Sequence, residues 1–330
     1  MKAQLTGLAK IAADSPQVDA RNAVEYFSLP CKSVLNRVCP SKGTRGRLSF
    51  AYTINPYRGC EFGCAYCFAR YTHEYLGFEG WLAFERKIYV KEQAAEVLAG
   101  ELNSAKLQGQ TIAIGTVTDP YQPAERRFEV TRRILAVLAQ HRGLRLSLTT
   151  KSDLILRDLD LLQILHQRHH LCLNVTLTVT DRHLSRRLEP RAPRPEKRLR
   201  AVRGLAAAGL TVGVFYCPVM PLVNDSKAAL EAACRTAAEA GAQYLAWQAL
   251  RLRSAARERF YPWLAETFPQ LLARYRRLYA GDIEPPLAYR ERVQAELDRF
   301  RQQYGLAAGP PPPPADWFAE EQLILPFPQP

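Results

Sequence analysis

No stretch of this 330-residue sequence is apolar enough, for long enough, to span a bilayer. The first twenty residues lack the apolar core of a secretion signal. Cysteine is too scarce for a crosslinked scaffold, with eight in the chain and three of those in one loop. Acidic residues are also in deficit, 32 against 45 Lys and Arg, leaving a formal charge of +13. The excess arginine gathers between Arg182 and Arg203, in RHLSRRLEPRAPRPEKRLRAVR. Such a segment attracts phosphates whatever their sequence, so nucleic acid is its candidate partner. A solvated basic face explains the same charge without any partner. The expectation is a reduced, cytoplasmic monomer with no membrane association.

What the chain does contain is Asn55-Pro-Tyr-Arg-Gly-Cys60-Glu-Phe-Gly-Cys64-Ala-Tyr66-Cys67. The spacing is C-x3-C-x2-C, with glycines before the first two cysteines and an aromatic before the third. Thiolates suit iron–sulfur clusters and zinc, and spacing this tight lets one loop wrap one centre. Two common iron–sulfur spacings end in the same way but recruit a fourth cysteine. None follows Cys67 closely here, so three ligands on a four-iron cluster would leave one iron open. The competing reading is a zinc loop completed by Cys31 or Cys39, although structural zinc sites usually pair C-x2-C knuckles.

Apolar runs and amphipathic runs alternate along the chain. Strands are expected at 50–54, 111–116, 144–149, 172–178, 211–216 and 243–249. Helices are expected at 91–106, 125–141, 156–167, 195–208 and 226–240, with Gly209 and Gly241 at C-terminal cap positions. This alternation implies a parallel sheet, as an α/β partial (β/α)6 TIM-like barrel. Active sites in such barrels gather at the C-terminal ends of the strands. The cysteine loop and the clusters TDPYQP, TKSD, TVTD and PVMPLVND all fall there. The expected organisation is an irregular lead-in over 1–48, a core over 49–252, a helical extension over 253–308, and a Pro-rich linker and tail over 309–330. In the extension, helices at 257–279 and 289–304 carry Leu, Tyr and Phe at helical spacing, a packing stripe.

NPYRGCEFGCAYCFAR, with C-x3-C-x2-C and Tyr66, resembles the signature of the radical S-adenosylmethionine (radical SAM) superfamily. With TDPYQPAERRFEVTRRIL, TTKSDLILRDLDLL, LEPRAPRP and PVMPLVND, the resemblance narrows to the spore photoproduct lyase-related, DNA repair photolyase-like group. It covers roughly residues 45–255. It implies a [4Fe–4S] cluster on Cys60, Cys64 and Cys67, S-adenosylmethionine at the open iron, and a flavodoxin- or ferredoxin-type reductant. The implied chemistry is cleavage of the sulfonium to a 5′-deoxyadenosyl radical that takes hydrogen from a substrate.

Residue by residue, Tyr66 matches the aromatic whose backbone approaches adenine. Thr118, Lys151 and Thr178 fall where the lyase surrounds S-adenosylmethionine with two hydroxyls and a lysine. An ammonium suits the methionine carboxylate, and hydroxyls suit ribose or carboxylate. Arg191 is placed to fork a carboxylate, with Glu189 as the acid that holds it. One position departs from the lyase: Thr116 stands where its hydrogen-donating cysteine would be, and a hydroxyl O–H is too strong for that role. Cys217 is a candidate to face the chamber, Cys172 a buried apolar residue, and Tyr121 and Tyr216 candidate radical relays. A nucleic-acid component is the expected substrate class. A peptide or small metabolite is the alternative, and a non-catalytic metal-loop nucleic-acid-binding protein the rival from another class.

Overall fold

The computed structural model describes residues 6–21, 23–38, 50–102, 107 and 109–313. Eleven strands are formed in chain order: β1 Gln17–Arg21, β2 Val24–Ser28, β3 Asn36–Arg37, β4 Tyr52–Ile54, β5 Tyr57–Arg58 and β6 Lys87–Val90. Then come β7 Thr111–Ile114, β8 Arg145–Thr150, β9 His170–Thr176, β10 Val212–Val219 and β11 Tyr244–Ala249. The main sheet runs β11-β10-β9-β8-β7-β4-β3. Its last six strands in sequence are parallel neighbours, and only the short β3 is antiparallel. Among the described residues the two edge strands do not pair with each other, and the six parallel strands make a partial (β/α)6 barrel. Buried Leu, Ile and Val at alternate positions of β7 to β10, on one face of the sheet, contribute to the principal core.

All six expected strands are present with shifted ends. The second stops at Ile114 because Gly115 takes φ +87°, where a Cβ would meet Thr149 O at 2.7 Å. The expected helix at 125–141 is broken into Glu125–Phe128 and Val130–Leu138, because Glu129 turns left-handed at φ +47°. Asp153–Asp158 form a 3-10 turn ahead of the helix Leu159–Arg168. Ser226 caps Lys227–Glu239, its hydroxyl oxygen accepting from Ala229 N at 3.2 Å. Of the expected helix at 91–106, Ala94–Glu101 is formed. Residues 103–106 lie outside the described residues, as do Cys39 and the tail from 314.

The lead-in is not irregular. Residues 6–38 form the helix Gly7–Asp14 and strands β1 to β3. Strands β1 and β2 join β6 and β5 in a second, four-stranded sheet. The half-exposed β1, QVDAR, offers only Val18 and Ala20 as apolar residues, which is too short and weak a pattern for the sequence to advertise it.

The C-terminal extension divides its packing. Leu287–Tyr304 lies on Lys227–Glu239 and adds Val293, Leu297 and Phe300 to the principal core. Ser254–Thr267 instead joins a second core with the cysteine loop, where Phe260, Trp263 and Leu264 meet Phe62, Ala65 and Phe84. Among the described residues no helix is long and apolar enough to cross a membrane.

Candidate functional site: a cysteine loop above the strand ends

Between β5 and the 3-10 segment Phe68–Leu76, the chain reverses twice on glycines. Gly59 has φ +88° and Gly63 +66°. A Cβ on Gly59 would approach Phe84 O at 2.9 Å, and one on Gly63 would meet Arg191 Nη2 at 2.6 Å. Backbone bonds pin the loop from several sides: Cys60 N to Phe84 O at 3.0 Å, and Ala65 N to Leu188 O at 2.8 Å. Gln122 accepts from Glu61 N at 3.0 Å, and the Thr118 hydroxyl donates to Gly59 O at 2.6 Å. From behind, Arg70 donates to Cys64 O at 2.6 Å and pairs with Glu85 at 2.6 Å. Arg191 bonds Glu61 O and also pairs with Glu85, at 2.6 Å.

Cys60 and Cys64 are buried, and Cys67 is half-buried. Burial pushes the Cys64 thiol up to about 12, against the opposing pull of Lys151, and raises Cys60 well above the ordinary thiol range. Thiols so placed lose their protons readily only to a bound cation. Among the described residues no three His, Cys, Asp or Glu side chains converge on a single ion. A four-iron cluster takes each thiolate on a separate iron, so such convergence is not required of the loop.

Facing the loop, Tyr66 OH bonds Glu189 and lies 2.9 Å from the Thr178 hydroxyl. Thr178 also reaches Glu189 Oε1 and Cys217 O, each at 2.9 Å. Glu189 closes the cluster with a fully buried ion pair to Arg198. Burial alone would raise Glu189, but Arg198 and Lys151 hold its carboxyl below the ordinary value. Lys151 carries its ammonium 5.9 Å from the centre of the Tyr66 ring. Burial would lower it, but Cys64, Glu189 and Asp119 outweigh that and raise it. Asp119 itself accepts from Lys151 N at 2.8 Å and from the Thr150 hydroxyl at 2.6 Å.

The expected residues therefore divide. Cys64, Tyr66, Lys151 and Thr178 share one chamber, with Cys60 and Thr118 at its wall. Arg191 does not join them. It stands behind the loop against Glu85, and Glu189, expected as its partner, pairs with Arg198 instead. The reason is reach: Arg198, one turn into the helix Pro195–Ala207, enters from below, while Arg191 turns back over Phe62 O. Tyr121 OH donates to Asp158 at 3.1 Å and Tyr216 OH to Asn224 O at 2.8 Å, so both hydroxyls are tied to the scaffold. Cys172 is buried, as expected. Sequence reasoning gave no role to Arg70 and Gln122, although both lie inside the quoted motifs, and passed over Glu85, which lies in none.

The sequence profile of the radical SAM superfamily matches residues 54–232. An uncharacterised protein of Mycobacterium tuberculosis is 38% identical over 316 residues, covering 94% of this chain and 91% of the relative. This chain belongs to the radical SAM superfamily. Its members use a [4Fe–4S] cluster and S-adenosylmethionine, and they require a reductant. A second uncharacterised relative, from Methanocaldococcus jannaschii, is 31% identical across 53% of this chain and 62% of its own length. Spore photoproduct lyase with bound S-adenosylmethionine and dinucleoside spore photoproduct has the same fold, with a TM-score of 0.65 at 16% identity. That match covers 92% of this chain and 84% of the lyase. Streptococcus suis SuiB bound to S-adenosylmethionine matches at a TM-score of 0.50, with 14% identity over 79% of this chain and 51% of SuiB. The chain is thus an enzyme of this superfamily, built on the lyase's fold. The donor set fits the family's cluster: three thiols on one pinned loop, two of them buried and one of these, Cys64, beside Lys151.

Proposed function

We propose that this enzyme cleaves S-adenosylmethionine reductively at a cluster held by Cys60, Cys64 and Cys67, and acts on a nucleic-acid component. When bound, the cluster and S-adenosylmethionine supply a 5′-deoxyadenosyl radical. The chain's own part is to hold and orient. The observation that carries the reading is Lys151: its ammonium has no hydrogen-bond acceptor among the described residues, yet it sits among Cys64, Asp119 and Glu189 over the Tyr66 ring. A cation positioned by the fold and left with three unspent donors suits the carboxylate of the methionine portion. Thr118 and Thr178 act one step back, because their hydroxyls are already committed to Gly59 O and to the Tyr66–Glu189 cluster. Arg191 clamps the cysteine loop instead of forking the cofactor's carboxylate.

The substrate reading is supported by charge. Exposed arginines along 182–203 lie beside the chamber on the crossover after β9. The lyase's own hydrogen-return route is not part of the proposal, since Thr116 bonds Asn55 at 3.1 Å and supplies no thiol. A reduced, cytoplasmic setting and a flavodoxin- or ferredoxin-type reductant complete the reading.

Anaerobic reconstitution should give a brown protein with about four irons per chain. Reduced enzyme should release 5′-deoxyadenosine, and Cys64→Ala should abolish the release. Stoichiometric zinc without iron after anaerobic purification would defeat the cluster assignment. With S-adenosylmethionine deuterated at the 5′ carbon, hydrogen exchange into an added oligonucleotide would establish the substrate class. Exchange confined to a peptide or metabolite would overturn it.

A further inference from the structure

Beside the cysteine loop lies a concavity of about 270 Å³ whose lining includes none of Cys64, Tyr66, Lys151 and Thr178. Phe62 and Tyr121 contribute to its wall, and Ser152 sits near the turn after β8. Around it stand Arg126, Arg186, Arg191, Arg194 and Lys197, against a single acid, Asp153. Asp153 is itself paired with Arg200, and Arg191 is paired with Glu85. Among the described residues, Arg126, Arg186, Arg194 and Lys197 have no carboxylate partner. Four uncompensated cations around one hollow repel each other, and a concave wall concentrates their field on whatever enters. The Ser152 hydroxyl is 4% exposed and accepts from Leu154 N, with its own proton unspent among the described residues. Arg194 and Lys197 also open the thirteen-residue helix Pro195–Ala207, whose positive end adds to the same field.

We propose that this hollow binds a phosphate group, at a site separate from the S-adenosylmethionine chamber. Guanidinium forks match phosphate oxygens, and a buried hydroxyl donor adds a directional contact. The volume falls just short of pockets that enclose whole small molecules, which start at roughly 300 Å³, so it suits one phosphate with its sugar. The phosphate belongs either to a nucleic-acid strand or to a free nucleotide. The inference rests on the nucleic-acid reading for that source only. Arg191 links the two sites, since it lines the hollow and clamps the loop that carries Cys60 and Cys64.

The test uses the full chain, reconstituted anaerobically, and fluorescence anisotropy with labelled single-stranded 12-mers of DNA and RNA. Unlabelled adenosine monophosphate and inorganic phosphate serve as competitors. Combined Arg186→Gln, Arg194→Gln and Lys197→Gln should weaken 12-mer binding at least tenfold. It should also flatten the log–log salt slope by about 0.7, the value for the one phosphate the hollow holds. Cluster absorbance and circular dichroism check that the variant is folded, and Lys197→Gln alone, with a smaller loss, serves if the triple variant is not. Arg274→Gln, Arg276→Gln and Arg277→Gln, the same charge change on an exposed helix elsewhere, should leave binding unchanged. A 12-mer that binds far more tightly than the mononucleotide identifies a strand as the source. Equal affinity keeps the phosphate site and removes the nucleic-acid reading. An unaltered slope in the triple variant, an equal loss in the control, or no binding of any probe would overturn the site. Release of 5′-deoxyadenosine by wild-type enzyme tests the chamber independently.

Discussion

Arg70 and Glu85 form an ion pair at 2.6 Å with side chains 0% and 4% exposed, directly behind the cysteine loop. The same guanidinium group bonds Cys64 O, and the same carboxylate receives Arg191. One acid therefore anchors two arginines, and both arginines hold the backbone that carries the cysteines. The loop has to be held in this way because its glycine turns provide little regular hydrogen bonding of their own.

Removing Arg70 leaves Glu85 paired with Arg191 and Arg259, so the loss is that of its charged hydrogen bonds to Glu85 and Cys64 O, about 1.5–3 kcal/mol. Arg70→Met should lower stability in urea titrations by that order and reduce iron per chain after reconstitution. Gly63→Ala attacks the same clamp from the other face. It combines left-handed strain of about 1–2 kcal/mol with a clash against Arg191. It should reduce iron content more than it reduces the urea midpoint. If both variants load four irons normally, the clamp is unimportant to the cluster.

Lys151→Met should keep the cluster, because among the described residues the Lys151 ammonium donates no hydrogen bond to the loop, and should weaken S-adenosylmethionine binding. A charge-assisted hydrogen bond of about 1.5–3 kcal/mol corresponds to roughly 10- to 100-fold in Kd. Equilibrium dialysis with the loaded protein would measure it. An unchanged Kd would remove Lys151 from the cofactor site.

The sequence made the strand-and-helix alternation readable because the parallel strands carry apolar residues at every second position, as in LRLSLTT and HLCLNVT. Its cysteine spacing and the polar clusters after each strand made the chamber readable too. Two things were hidden. The lead-in sheet depends on pairing between β2 and β6, more than fifty residues apart, and no local pattern records that. The partner of Glu189 was hidden for a similar reason: Arg191 is adjacent in sequence, but the helix geometry brings Arg198 to it. Where arginines are this dense, neighbourhood in sequence is a poor guide to which one pairs.

Tyr66→Phe tests the buried cluster at its lighter end. It deletes one hydroxyl from a set in which Thr178 and Glu189 retain each other and Arg198. The expected cost is about 1–2 kcal/mol with the cluster intact. Glu189→Gln should cost more, about 3 kcal/mol or above, because it leaves Arg198 buried without its counter-charge. Equal losses in the two variants would mean that the ion pair carries no more than the hydroxyl does.

His169 makes stability depend on pH in a definite direction. It is fully buried; its Nδ1 accepts from Leu144 N at 3.1 Å and its Nε2 donates to Leu138 O at 2.9 Å. Only the neutral ring satisfies both bonds, and burial lowers its pKa from 6.5 to about 4. The unfolded chain then binds the proton more readily than the folded one. The stabilisation from the neutral ring is therefore complete above pH 6.5 and is lost as pH falls from 6.5 towards 4. The shift corresponds to about 3 kcal/mol across that window. Urea titrations at intervals from pH 7 to 4.5 should show this loss, and His169→Gln, less stable at pH 7, should show a shallower one. A variant whose stability falls with pH as steeply as that of the wild type would assign the acid sensitivity to other groups, of which buried His73, also lowered to about 4, is the first to test.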